Sequence, residues 1–163
     1  KFLKFTADAE VDYPMWQDQH PTNSIVYLGN DDSTNKSGEN YIAYCFAPVK
    51  NYSQMGKFTG NASSDGPYIH CGFRPAFILC KRADANDKHW ILFDNKRYGY
   101  NVSNLELLPN LNVGENSTNP IDILSNGFKV RTGTSPDLNG SNGTIIYYAV
   151  AENPFSANGG LAR

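Results

Sequence analysis

Two stretches of the chain follow the same plan, a polar turn rich in Asn and Gly followed by a long apolar run. The first is Asn35-Lys36-Ser37-Gly38-Glu39-Asn40-Tyr41-Ile42-Ala43-Tyr44-Cys45-Phe46-Ala47. The second is Asn139-Gly140-Ser141-Asn142-Gly143-Thr144-Ile145-Ile146-Tyr147-Tyr148-Ala149-Val150-Ala151, in register without a gap. Ile25–Gly29 parallels Lys129–Gly133 at the same offset, and Leu3–Glu10 aligns loosely with Leu108–Glu115 after a one-residue slip. Self-similarity at a fixed offset marks a repeat architecture. Residues 68–100 have no counterpart in the first unit. The expected organisation is therefore 1–50 as the C-terminal half of a first β repeat, 51–66 as an inter-repeat linker, and 67–163 as a complete second repeat packed with the first as one unit. The half-unit, and a first residue that is not Met, lead to the expectation that the chain is a piece of a longer protein.

The pattern predicts strands at 24–29, 40–49, 68–72, 76–82, 89–94, 97–100, 127–132 and 144–151. The segments 76–82 and 89–94 flank a polar tip and read as a hairpin. Tyr41–Phe46 and Ile145–Val150 are apolar on both parities, as in strands covered on both faces, or covered on one and packed against a loop on the other. Ile42, Tyr44 and Phe46 then share one face, and Ile146, Tyr148 and Val150 the equivalent one. If these strands are central, Tyr44→Ala and Tyr148→Ala each cost about 2–4 kcal/mol. Residues 50–66 are long for a connection and have room for a short edge strand around Met55–Thr59. The one helical candidate is a single turn over Pro120–Leu124. Short strands between turn signals point to an all-β fold, an antiparallel β-sandwich of the jelly-roll or lectin-like kind built from the internal repeat. A closed β-barrel is the alternative.

Composition supports that class and removes several functions. Ten Tyr, nine Phe and two Trp alternate with Asn/Gly-rich gaps, the make-up of antiparallel β proteins. The 14 basic and 16 acidic residues leave a net charge of −2 and form no block. That gives neither the basic stripe nucleic acid needs nor the polybasic face of an anionic membrane surface. No apolar run approaches the ~20 residues of a membrane span. Three cysteines make a disulfide framework incomplete. Cys45 aligns with Ala149, so buried free thiols are expected for Cys45, Cys71 and Cys80, with a Cys71–Cys80 bridge as the alternative in an oxidising setting.

Motifs for catalysis are missing. The chain has no Gly-rich phosphate loop, zinc spacing, HExxH or GxSxG, and His20, His70 and His89 lack an ordered partner set. Cys71 next to His70 fails as a nucleophile–base pair because neighbours on a strand point to opposite faces. Asp84-Ala85-Asn86-Asp87 crowds oxygens in a turn, which turn chemistry explains without calcium. The Asn-x-Ser/Thr sites at Asn35, Asn51, Asn61, Asn101, Asn116, Asn139 and Asn142 are explained by loop composition. No catalytic residue, metal site or cofactor is expected, and a hydrolase ranks last. Sugar binding is the sharper idea, since aromatic faces stack on sugar rings while amides and carboxylates orient hydroxyls. Trp16, Tyr98 and Tyr100, near loops or strand ends, are the candidate binding residues.

An ordered set of motifs resembles a known family. Gly72-Phe73-Arg74-Pro75 through Arg82, Trp90-Ile91-Leu92-Phe93-Asp94, Leu124-Ser125-Asn126-Gly127-Phe128-Lys129-Val130-Arg131, Ile146 through Phe155, and closing Leu161-Ala162-Arg163 resemble a domain found near the C-terminus of tailed-phage virion proteins of the tail-fibre kind. Tyr41–Ala47 followed by Met55–Asn61 matches that family's junction between repeats. The match covers nearly the whole chain and departs most over Lys1–Gln19. The resemblance implies a non-catalytic virion structural protein that attaches to a host-surface glycan or protein. It also implies contact with other virion proteins, a homotrimeric state and exposure on the tail fibre or capsid. The rival readings are a capsid decoration or head-fibre protein without a receptor role, and a carbohydrate-binding module.

Overall fold

A computed structural model of the chain describes residues 1–97 and 101–154. Its strands are β1 (Ser53–Thr59), β2 (Tyr68–His70), β3 (Pro75–Arg82), β4 (Trp90–Asp94), β5 (Ile121–Leu124), β6 (Gly127–Val130) and β7 (Thr144–Ala151). They form two antiparallel sheets, ordered β1-β7-β3-β4 and β2-β6-β5. Neither closes on itself, so the expected β-sandwich is the observed fold and the barrel is not. One apolar core joins the two sheets. β7 shows why the sequence folds this way: Ile145, Tyr147, Ala149 and Ala151 point inward and are buried, alternating with half-buried Ile146, Tyr148 and Val150. A period of two is what a pleated strand imposes. Phe128 of β6 meets Tyr147 at 5.7 Å and Phe58 at 6.2 Å between ring centroids, both edge-on, which pins one sheet to the other. Each fully buried large side chain here contributes about 1.5–3 kcal/mol.

Two local features hold the smaller sheet. Ile121 and Ile123 are buried while Asp122 and Leu124 are half-buried, so Pro120–Leu124 is not a helical turn but leads into β5. The two β-branched isoleucines fit the pleat, and Pro120 precedes the first paired position, where its missing donor costs nothing. Gly127 opens β6 against β2; a Cβ there would stand 2.0 Å from Ile69 O, so only glycine fits. Between β4 and β5, Leu107 bridges Leu92 and Ser103 bridges Ile121, which ties the loop to one edge of each sheet. Inside that loop the Glu106 carboxylate is fully buried and accepts hydrogen bonds from Asn119 Nδ2 and Thr118 Oγ1.

The strands near 68–72, 76–82, 89–94, 127–132 and 144–151 are present with trimmed ends, and β1 occupies the edge expected near Met55–Thr59. The first unit differs. Residues 24–29 and 40–48 take part in no strand pairing among the described residues, and Ile42 (81%), Tyr44 (79%) and Phe46 (66%) are largely exposed. Tyr44 is therefore not a core residue. Cys45 is exposed while Cys71 and Cys80 are buried, and all three are free thiols, so neither a buried Cys45 nor a Cys71–Cys80 bridge is seen. Tyr44 and Cys45 are uncovered for one physical reason: two flanking strands clothe β7, and residues 40–47 have none among the described residues. The expected strand at 97–100 falls almost wholly outside the described residues.

Candidate functional site

The N-terminal segment builds a cleft of about 620 Å³ lined by Lys1, Asp12, Trp16, Asp18, Gln19, His20, Pro21, Val26 and Tyr27. A short 3-10 turn, Pro14–Trp16, carries the tryptophan. Buried Met15 anchors it, and Gln19 N donates to Trp16 O (3.0 Å) to close the turn. Gln17 and Asp18 follow in the left-handed backbone region, at φ 52° and 50°. Asp enters that region readily, whereas Gln does so at a cost. Two hydrogen bonds hold the reversal in place: Gln17 Nε2 donates to Leu28 O and Gly29 N donates to Met15 O, both at 2.6 Å. The strained turn is thus clamped to the segment that supplies Val26 and Tyr27.

At the rim, Lys1 Nζ lies 2.6 Å from Glu10 Oε1. That hydrogen bond, and the attraction of the carboxylate, hold the Lys1 ammonium above its ordinary pKa. Lys1 is already paired, so Asp12 and Asp18 make the cleft acidic. Two aromatic rings, two carboxylates, an amide and an imidazole around a space of this size can stack a ring and accept hydrogen bonds from its hydroxyls. Among the described residues no group of three or more His, Cys, Asp or Glu side chains stands ready to hold a metal ion, and no helix is long and apolar enough to cross a membrane.

Of the residues expected to bind, Trp16 lines this cleft, while Tyr98 and Tyr100 lie outside the described residues. Sequence reasoning missed Asp12, Asp18, Gln19, His20 and Tyr27. The signal was the run Trp16-Gln17-Asp18-Gln19-His20, one aromatic leading four polar residues. A second concavity, of about 630 Å³, lies on the outer face of the larger sheet among Phe46, Met55, Phe77, Leu79, Trp90 and Tyr148. It is almost wholly apolar. Nearby, Lys81 is fully buried on β3 and donates to Arg82 O (2.8 Å). Burial pushes its ammonium below the usual range, with Asp137, Asp8 and Asp84 acting against that.

Residues 2–154 match the family described as Domain of unknown function (DUF7483). The chain belongs to this family. No curated protein and no solved structure matches it. The DUF7483 description carries no activity.

Proposed function

We propose that this chain is a non-catalytic structural module of a tailed-phage virion, of the tail-fibre kind, which attaches to a glycan on the host surface through the Trp16 cleft. The observation that carries the reading is the cleft itself. Trp16 and Tyr27 supply stacking faces, and Asp12, Asp18 and Gln19 supply hydroxyl acceptors, in a space large enough for one or two sugar rings. Its acidic lining favours neutral or amino sugars over sialic or uronic acids, because an unpaired like charge in the cleft is repulsive. The resemblance of its ordered motifs to tail-fibre domains is the support for a virion location. A homotrimer suits this role, since three weak sites gain by avidity.

The test is glycan-array binding by the full chain, with competition against phage adsorption to host cells. Binding to neutral or amino sugars that falls at least tenfold in Trp16→Ala, with thermal unfolding unchanged, supports the reading. Full binding by Trp16→Ala, or no glycan bound at all, overturns it. One observation favours a second reading, a capsid decoration or head-fibre protein without a receptor role: exposed Tyr41, Ile42, Tyr44 and Phe46 form an apolar set of the kind that marks protein contacts. In that case loss of the chain weakens the particle and leaves adsorption intact.

A further inference from the structure

The turn before residues 40–47 is built like the turn before β7. Asn35 N donates to Asp31 O (2.8 Å), and 104 positions later Asn139 N donates to Ser135 O (3.0 Å). Glu39 N donates to Lys36 O (3.3 Å), and Gly143 N donates to Gly140 O (2.9 Å). Asn35 Nδ2 donates to Gly29 O (3.1 Å), and Asn139 Nδ2 donates to Thr132 O (2.7 Å), one residue from the equivalent carbonyl. The repeat thus exists in hydrogen bonds as well as in sequence, up to the point where the strand begins.

Beyond that point the units differ in what surrounds them. Around Asn139 residues 60–63 of the inter-repeat segment close in. Asn61 N donates to Asn139 Oδ1 (2.8 Å), Asn139 Nδ2 donates to Ser63 O (2.8 Å), and Gly60 N donates to Gly143 O (2.9 Å). Asn139 is fully buried, whereas Asn35 is exposed. β7 then lies between β1 and β3, with Ser53–Thr59 paired along one side and Pro75–Arg82 along the other. Residues 40–47 have the corresponding inward set, Tyr41, Ala43, Cys45 and Ala47, and outward set, Ile42, Tyr44 and Phe46; Phe46 rests on Tyr148 at 5.5 Å between ring centroids, and neither edge pairs with a strand among the described residues.

We propose that residues 40–47 are a strand in waiting, completed by a half-unit equivalent to residues 48–104 of another copy of the same repeat. That half-unit brings a β1-like strand to one edge, a β3-like strand to the other, and a 60–65-like loop to bury Asn35. The occupant is selected by the pattern of the segment itself. Small Ala43, Cys45 and Ala47 alternate with bulky outward residues, as small Ala149 and Ala151 do in β7, so the inner face fits closely against a second sheet. Two places must adjust. The first unit has Asn23 where the second has Gly127, so a β2-like strand must stand further off there than β2 does from β6. In the second unit Arg82 packs over Gly140 and Gly143, where the first unit has Lys36 and Glu39. Its flexible guanidinium can swing aside, and Glu39 offers it a carboxylate.

The test grafts a copy of residues 48–104 ahead of Lys1 in the full chain, so that a complete first unit precedes the second. Hydrogen exchange of amides 41–47 is compared with and without the graft, with β7 amides in the same molecule as the folding control. The expected result is that amides 41–47 exchange fast in the ungrafted chain and slow by about 100-fold or more in the grafted one. Cys45 alkylation slows in parallel, and Cys45→Arg abolishes the protection. Amides 41–47 that stay fast in the graft while β7 stays protected overturn the proposal, whether or not the grafted strands fold. Protection that appears in the ungrafted chain and grows with its concentration also overturns it, by assigning the segment to contacts between existing copies.

Discussion

Residues 40–47 and 144–151 carry matching apolar side chains behind matching turns, yet one run is bare and the other is a central strand. Tyr41 is 45% exposed and its counterpart Ile145 is 0%; Cys45 is exposed and its counterpart Ala149 is 0%. The difference teaches what an apolar run specifies. Ordering eight residues costs about 1–2 kcal/mol of backbone entropy each, and the run recovers that only where neighbouring strands take up its N–H and C=O groups and cover its side chains. β7 has two such neighbours. The pattern gives a segment the capacity to be a strand, and the pairing partners decide whether it becomes one.

Thiol chemistry is the widest expected separation. Burial pushes the Cys71 thiol up to about 12 and raises Cys80 as well, the Cys71 sulfur adding to the effect on Cys80. Since the thiolate is the nucleophile, both react at neutral pH only when the sandwich opens, which costs several kcal/mol. Cys45 reacts from the native surface. A colorimetric disulfide reagent at pH 8 therefore titrates one thiol rapidly and the other two at least about 10,000-fold more slowly. All three react at once in denaturant. Two fast thiols in the native protein would mean that the core around β3 is misplaced.

The paired asparagines come next. Asn139→Ala leaves Thr132 O without its donor inside the protein, where an unpaired buried group costs about 1–3 kcal/mol. It also removes the half-buried bonds to Asn61 N and Ser63 O, so a loss of about 2–4 kcal/mol is expected in urea unfolding. Asn35→Ala, on an exposed copy of the same turn, changes stability by less than about 0.5 kcal/mol. Equal losses at the two positions would remove the contrast between the units.

A valine pair samples the segment before each turn. Val130 of β6 is fully buried, while its counterpart Val26 is 50% exposed. Val130→Ala removes two methyl groups and leaves a cavity, costing about 2–3 kcal/mol. Val26→Ala, measured in the same way, stays within about 0.5 kcal/mol.

Much of the second unit was legible in the sequence because its elements satisfy their own patterns. The β3–β4 hairpin has a polar tip between two apolar runs, and β7 is a long apolar run behind a polar Asn/Gly turn. β5 was misread because Pro120 followed by Ile121-Asp122-Ile123 suits a helix start as well as a strand; only the buried alternation against Ser103 and β6 decides between them. The 40–49 strand was predicted from an apolar run, and no local pattern reports that a run pairs with no neighbour among the described residues. Trp16 was visible as an aromatic near a turn. The rest of its cleft depends on Gln17 and Asp18 adopting positive φ, a reversal that neither residue type announces.

The smallest expected effect lies on the outer faces, where the two runs touch. Tyr148 is half-buried, with Phe46 at 5.5 Å and Phe77 at 6.1 Å between ring centroids. Tyr148→Ala leaves the sandwich core intact and removes one tilted and one edge-on aromatic contact and part of an outer cover. It should cost about 1–2 kcal/mol, below the 2–4 kcal/mol of a core tyrosine. Tyr44→Ala, at 79% exposure, should cost less than about 0.5 kcal/mol. The double mutant separates two accounts of the first unit. If residues 40–47 lie on the sheet only through Phe46, the two effects add within about 0.5 kcal/mol. A coupling above 1 kcal/mol would show that Tyr44 already packs on the second unit through Tyr148, and the bare strand would then be dressed by its own chain.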